Sequence, residues 1–155
     1  MVKKSLVIKL VIGCALALCL SACGEDDDSS PEEQVSTIVT EIEQAIERRS
    51  TSDIFDHVSD QYSDHRGQDQ EALRKLARVF LLRHQNINLI TNIQKLEVLD
   101  DTTVTIEASV LMGGTGPTGS VVGARADSQN VSAVFQLEGN DYRLVSLSWD
   151  GEQAL

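Results

Sequence analysis

The stretch DHVSDQYSDHRGQD, residues 56 to 69, concentrates side chains that can do chemistry. It holds aspartates, two histidines and one tyrosine. If it were helical, Asp53, Asp56, His57 and Asp60 would share one face, at positions i, i+3, i+4 and i+7. A histidine and carboxylates on one face could bind a divalent cation or transfer protons.

The apolar residues of the same region favour a structural interpretation. These residues would occupy the face of the segment that packs against the domain: Ile54, Phe55, Val58 and Tyr62. The acids then point mostly to water, Arg66 and Gly67 suit a turn, and Asp69 can cap a following helix. We therefore predict a solvated helix end. A structural role for Tyr62 and Asp64 at the interhelix turn, and a metal or catalytic site, remain as alternatives.

An isomerase-type site needs a carboxylate base and hydrogen-bond donors to an oxyanion in a dry pocket. The predicted inward positions of the strands are nearly all aliphatic, and Glu107 and Glu138 fall on the opposite faces of their strands. Tyr62 and Tyr142 are the only tyrosines. We predict no catalytic residue, no metal ligand and no cofactor.

Three further features have two interpretations each. The glycine-rich segment 113–123 lacks the ending of a phosphate loop, so a hairpin connection is favoured over a phosphate cradle. Phe135 and Trp149 either line a pocket or pack in the core. Four basic side chains fall on a predicted helix: Arg74, Arg78, Arg83 and His84. They either form a solvated face paired with acids such as Glu71, which is favoured, or contact an anionic partner.

Hydrophobic spacing predicts three helices that position these residues. The first has a capping hydroxyl at Ser30, proline at its first position and Glu33 three residues after the cap, and it ends near Arg49. Its apolar stripe is Val35, Ile38, Val39, Ile42, Ala45 and Ile46, opposite Glu41, Glu43, Gln44 and Glu47. A second helix begins at Ser52 or Asp53, and a third begins after Asp69. The stripe of the third is Leu73, Leu76, Ala77, Phe80 and Leu81.

After His84 the hydrophobic period changes to two, which predicts four strands. The first, 87–99, is long and bulged or bent, and Asp100 and Asp101 form a turn. The others are 102–112, 130–138 and 141–151, with one inward face each: Val104, Ile106, Ala108, Val110 and Met112; Val131, Ala133, Phe135 and Leu137; Val145, Leu147 and Trp149. We predict an α+β domain over 31–155, with helices packed on a curved antiparallel four-stranded sheet.

The order of elements resembles the nuclear transport factor 2-like superfamily, also called the SnoaL-like or ketosteroid isomerase-like cone. The segments DQYSDHRGQDQEALRKLARVFLLRHQNINL and YRLVSLSW carry the resemblance, over residues 32 to 150. It implies a curved sheet around the first helix, with a cup at its mouth. The superfamily includes isomerases, dehydratases, hydrolases and non-catalytic binders, so fold does not settle function. Dimers through the sheet face are common in it. Exposure of Leu111, Val134 or Leu144 together would support such a homodimer here.

The N-terminal residues predict export. Lys3 and Lys4 precede an apolar run from about Leu6 to Leu20, which is typical of a cleaved signal peptide over 1–22. Leu20-Ser21-Ala22-Cys23 resembles the bacterial lipobox. The resemblance implies cleavage before Cys23, a diacylglycerol on its thiol and acylation of its new amine. The chain would then be anchored to a membrane, not spanning it.

The residues after Cys23 predict a tether and a location. Residues 23–30 include the acidic run EDDD, as expected of a solvated linker. By resemblance, Gly24 favours the outer membrane, facing the periplasm, in a Gram-negative cell. Losing three lysines with the signal changes the formal net charge from −11 to −14. Such a chain repels nucleic-acid phosphates and anionic lipid, so nucleic-acid binding is excluded.

We therefore expect a lipid-anchored protein of the cell envelope whose domain binds a small apolar ligand or a protein partner without catalysis. The alternative is an isomerase- or hydrolase-like enzyme that uses the cup. An inward carboxylate beside a donor in an open pocket would favour the enzyme.

Overall fold

The computed structural model describes residues 29–115, 121–122 and 129–149. The predicted signal peptide, Cys23 and most of the tether lie outside these residues. Three helices come first: α1 (Pro31–Glu47), α2 (Thr51–Asp56) and α3 (Gln70–Arg83). Five strands follow: β1 (Gln85–Asp100), β2 (Thr103–Thr115), β3 (Val121–Val122), β4 (Gln129–Glu138) and β5 (Asp141–Trp149). No helix among these residues is long and apolar enough to cross a membrane.

Side-chain caps begin the helices at or near the predicted positions. Ser30 and Glu33 form the capping box of α1, and the Asp69 carboxylate accepts a hydrogen bond from the Ala72 amide at 2.8 Å to begin α3. Helix α2 begins at Thr51, one or two residues before the expected start at Ser52 or Asp53, because Ser50 caps it. It also ends at Asp56, so Asp53, Asp56, His57 and Asp60 do not lie together on one helical face.

The strands form one antiparallel sheet in the order β1-β2-β4-β5, and the two-residue β3 pairs with the end of β2. The sheet is open and curved, and the helices pack against it, as predicted. Strand β1 is bulged, with shifts in its pairing with β2 that include one between Ile93 and Lys95. Bulges add a residue to one strand and bend it, which is how a sheet curls around a helix.

The core lies between α1 and the concave face of the sheet. Val35 and Ala45 of α1 are fully buried. Five of the inward residues of β2 and β4 that the alternation predicted are buried as well: Val104, Ile106, Ala108, Ala133 and Phe135. Val131 and Leu137, towards the two ends of β4, are half-buried. The alternation fails towards the end of β2, where Val110 is half-buried and Met112 is 36% exposed. The core therefore fills the middle of the sheet and thins towards that end.

The predicted inward face of β5 is wrong over its first half. Phe135 pairs with Leu144 while Val134 pairs with Ser146, so Val145 is an extra residue in a bulge. Tyr142 and Leu144 therefore face the core before the bulge, and only Leu147 and Trp149 follow the predicted face after it. Leu144 is buried and cannot belong to an exposed outer face with Leu111 and Val134.

Each outer strand of the sheet has part of its free edge covered. On β1, Glu43 and Glu47 of α1 accept hydrogen bonds from the amides of Thr91 and Leu89, at 2.6 Å and 3.0 Å. On β5, the segment after α2 runs alongside the strand, and the Ser59 amide donates to the Leu144 carbonyl at 3.0 Å. Covering edge amides and carbonyls in this way prevents pairing with a foreign strand.

Candidate functional site

The segment 57–69 is an ordered connection rather than a helix end. It pairs with β5 on one side: the His57 carbonyl accepts from the Leu144 amide at 2.8 Å, and the Ser63 amide donates to the Val145 carbonyl at 3.0 Å. The bulge at Val145 turns that carbonyl out of the β4 ladder and towards the segment. The expected solvated helix end is therefore wrong for this segment, although Asp60 and His65 are exposed within it.

Asp64 organises the turn between α2 and α3. Its Oδ1 accepts hydrogen bonds from the amides of Arg66 and Gln68, both at 2.8 Å, and its Oδ2 accepts from the Gln68 side chain at 2.9 Å. Gly67 adopts a left-handed φ of +74°, which closes the turn and is least costly for glycine. Asp64 is 6% exposed, so these bonds replace the water that its carboxylate loses.

Tyr62 lies directly before this turn and is buried in the core, 2% exposed. Its hydroxyl has no hydrogen-bond partner among the described residues. Burial raises the pKa of the phenol far above its ordinary value, and the nearby negative charge of Asp64 raises it further. Tyr62 is therefore a neutral donor at physiological pH and has no tendency to act as a base.

The other two predicted pocket residues lie in different surroundings. Trp149, at the end of β5, is half-buried against the turn: the His65 ring meets it edge-on at 5.2 Å, and the Arg66 guanidinium lies 5.3 Å from its ring centre. Phe135 is 2% exposed and lies within the core cluster. The structure thus brings Tyr62, Asp64 and Trp149 to one corner, while Phe135 packs in the middle of the sheet.

The carboxylates and imidazoles of the opening stretch do not converge. Among residues 29–115, 121–122 and 129–149, no three His, Cys, Asp or Glu side chains are grouped so as to hold a metal ion. His57 instead pairs with Glu41 of α1, with 3.4 Å between Nε2 and Oε2. The metal hypothesis at Asp53, Asp56, His57 and Asp60 has no geometric support there.

Sequence reasoning missed one polar contact, between a buried serine and a half-buried glutamate. The hydroxyl of Ser59, which is fully buried, donates to Glu138 Oε1 at 2.6 Å, and Glu138 Oε2 lies 3.8 Å from Arg143 Nε. This pair joins the segment 57–69 to the turn between β4 and β5. Its sequence signal is weak, because the partners are 79 residues apart. It ties down the sheet end and leaves no carboxylate oxygen of Glu138 facing the core as a base.

Comparison with known proteins adds the fold and nothing finer. A scan against protein-family models and a search of curated proteins each find no match. Among solved structures, a protein of the NTF2-like family from Streptomyces avermitilis superposes with a TM-score of 0.65 at 15% identity, covering 76% of this chain and 93% of that one. Aln2 from a Streptomyces species also gives 0.65 at 15% identity, covering 78% and 91%.

A hexachlorocyclohexane dehydrochlorinase, LinA type 2, superposes with a TM-score of 0.61 at 12% identity, covering 75% of this chain and 81% of that one. The chain therefore has the nuclear transport factor 2-like cone fold. Proteins with this fold include enzymes and non-enzymes, so the activity depends on the residues of the cone.

Proposed function

We propose that this chain is a lipid-anchored protein of the cell envelope whose cone domain binds a small apolar ligand or a protein partner and does not catalyse a reaction. The anchor half of the proposal rests on the sequence Leu20-Ser21-Ala22-Cys23 after an apolar signal. The proposal that the domain binds without catalysis rests on one buried carboxylate that has no free oxygen to act as a base. Among the described residues, Asp64 is the one acidic side chain that is buried. Hydrogen bonds from residues of its own turn occupy both of its carboxylate oxygens.

A base in a cone enzyme must reach substrate with a free oxygen. Freeing Oδ1 would leave the backbone amides of Arg66 and Gln68 without their acceptor, and freeing Oδ2 would take the acceptor from the Gln68 side-chain amide. Each donor left unpaired away from water costs about 1–3 kcal/mol. The buried inward side chains of the sheet are apolar, namely Val104, Ile106, Ala108, Ala133, Phe135 and Leu144. Such a lining suits an apolar ligand or simple packing better than proton transfer.

One observation favours the enzyme alternative. The buried hydroxyl of Tyr62 has no partner among the described residues, and an unpaired donor in a dry interior is the kind of group that stabilises an oxyanion. A solved neighbour is a dehydrochlorinase, so elimination chemistry occurs on this fold. A donor without a free base does not complete such a site, and we rank the enzyme second.

Native mass spectrometry of residues 23–155 carrying Cys23→Ser, secreted to a periplasm, tests the binding half. A retained mass of a small apolar molecule, lost on substitution of a core-lining residue such as Ala133→Phe, is the expected result for a ligand cup. A bare chain that co-purifies with a defined protein supports the partner form. Turnover of a carbonyl or halogenated substrate that disappears in Tyr62→Phe would overturn the proposal in favour of the enzyme.

A further inference from the structure

Helix α3 leaves an apolar face uncovered. Leu81 is its one buried residue, whereas Leu82 is 73% exposed and Val79 is 45% exposed. Leu76 and Phe80 beside them are half-buried, although the sequence placed both in a buried stripe. Exposed aliphatic side chains next to one another on a helix indicate a surface that contacts something outside the domain.

The same helix is basic on an acidic chain. It carries four basic residues and one acid, a net charge of +3, while the whole chain has a formal net charge of −11. Lys75 pairs with Glu71 at 2.9 Å. Among the described residues, Arg78 and Arg83 have no hydrogen bond and no ion pair, so the predicted pairing with nearby acids does not occupy them.

The shape of this surface limits what it can bind. A depression of about 580 Å³ lies on it, and all of its lining residues come from α3 and its ends, between Gln68 and His84. One element supplies the whole lining, so no second wall encloses a ligand or grips a peptide, as pockets and helix-binding grooves do. A second copy related by a two-fold axis would place Arg78 and Arg83 of both copies at one interface, where their like charges would repel.

We propose that α3 lies on the surface of an anionic phospholipid bilayer. Leu82 and Val79 enter the boundary between headgroups and acyl chains, and Arg78 and Arg83 contact lipid phosphates. A flat, negatively charged surface fits a helix face that no second element encloses and that carries an exposed leucine and unpaired arginines. The proposal deepens the proposed function, in which a lipid on Cys23 already holds the chain at a membrane.

The acidic remainder of the chain does not forbid this contact. Salt limits the reach of exposed charges to about 10 Å at an ionic strength of about 0.1 M. The two acids at the helix itself are engaged, since Glu71 pairs with Lys75 and Asp69 accepts a hydrogen bond from the Ala72 amide. Screening of the more distant acids leaves the local charge of the helix to decide the interaction. Repulsion between the acidic remainder of the chain and the anionic bilayer then orients the protein, because its other faces are kept away from the membrane.

The test is sedimentation with vesicles of the mature chain, residues 23–155, carrying Cys23→Ser so that no lipid is attached. All described helices and strands lie within this chain. We expect it to bind vesicles of phosphatidylcholine mixed with phosphatidylglycerol at least about tenfold more tightly than vesicles of phosphatidylcholine alone. The double variant Arg78→Gln with Arg83→Gln removes that preference. The charge-matched control Arg48→Gln with Lys95→Gln, both exposed and outside α3, keeps it.

A second variant reports the apolar contact. The Cys23→Ser chain contains no other thiol once the signal is absent, so Leu82→Cys accepts a single environment-sensitive dye. Its emission shifts to the blue on anionic vesicles, whereas the same dye at Asp141→Cys does not respond. Equal binding to both vesicle types, or binding that survives loss of Arg78 and Arg83, overturns the proposal. So does capture of a soluble acidic peptide without any vesicle binding, which would assign the face to a protein partner. The mass of the processed chain shows separately whether Cys23 carries lipid, so failure of the proposed anchor is distinguished from failure of the proposed contact of α3.

Discussion

The Glu43 carboxylate accepts a hydrogen bond from the Thr91 amide at 2.6 Å, and this bond fixes how the first helix sits on the sheet. Glu47 repeats the contact with Leu89, at 3.0 Å. Four residues along a helix rise about 6 Å, and two residues along a strand rise about 6.6 Å. The two spacings match, so one helix face can cap successive free amides of an edge strand.

Glu43→Ala should lower the free energy of unfolding by about 1–2 kcal/mol, because a half-buried amide loses a charged acceptor. Urea denaturation measures it. Glu43→Gln keeps an acceptor oxygen and should cost less. Glu41→Ala, on the same helix but outside the contact with β1, is the control; it removes only the half-exposed pair with His57, which contributes less than a hydrogen bond to an edge amide. Equal losses for Glu41→Ala and Glu43→Ala would show that the edge contact contributes nothing specific.

Asp64→Ala should destabilise the fold by about 3 kcal/mol, since the backbone amides of Arg66 and Gln68 and the Gln68 side chain lose their common acceptor. Asp60→Ala removes an exposed acid of the same segment and serves as the matched control. Asp64→Asn retains one acceptor oxygen and should fall between them. Thermal unfolding followed by circular dichroism measures all three. An Asp64→Ala chain as stable as Asp60→Ala would contradict the role we assign to this turn.

Alkaline pH should unfold the domain through its two tyrosines. Burial raises the pKa of both Tyr62 and Tyr142 in the folded state, and nearby acids add to each shift. A raised folded pKa contributes stability that is fully present below the unfolded value of about 10 and is lost as pH rises above it. Tyrosinate absorbance should therefore appear together with loss of secondary structure. Ionisation of both phenols near pH 10 in a folded chain would refute the burial.

Tyr62→Phe should leave the domain as stable as before or stabilise it by up to about 1 kcal/mol, because the buried hydroxyl has no partner to lose among the described residues. Chemical denaturation of the variant beside Ser59→Ala measures this. Ser59→Ala removes the donor to Glu138 and should destabilise. A large loss for Tyr62→Phe would reveal a partner of the hydroxyl, such as a bound molecule, and would strengthen the enzyme alternative.

The sequence predicts most of the helices and strands, because caps and periodicity are local signals. Ser30, Asp69 and the change of period after His84 each mark a boundary that the structure confirms. The inward face of the first half of β5 is not predictable from the alternation of Val145, Leu147 and Trp149, since a bulge at Val145 puts Tyr142 and Leu144 out of phase with the residues after it. The bulged Val145 carbonyl accepts a hydrogen bond from the Ser63 amide, which is far away in the chain, so no local signal marks the bulge.

For the candidate site too, features set by local sequence could be predicted, and features set by contacts between distant residues could not. Burial of Ile54, Phe55, Val58 and Tyr62 is evident from their apolar character, and the structure confirms it. That Asp64 would be buried and its oxygens fully used is not evident, because an aspartate in a polar stretch usually faces water. The unpaired arginines of α3 were similarly expected to meet acids, and only the three-dimensional arrangement shows which acid meets which base.

The most direct test of the central claim is the intact mass of the protein extracted from membranes of a bacterium that expresses the full chain. We predict a chain that begins at Cys23 and carries the added mass of a diacylglycerol, with or without a further acyl group. Cys23→Ser should abolish that mass and release the protein from the membrane anchor. A chain cut elsewhere, or one that starts at Cys23 without lipid mass, would contradict the account.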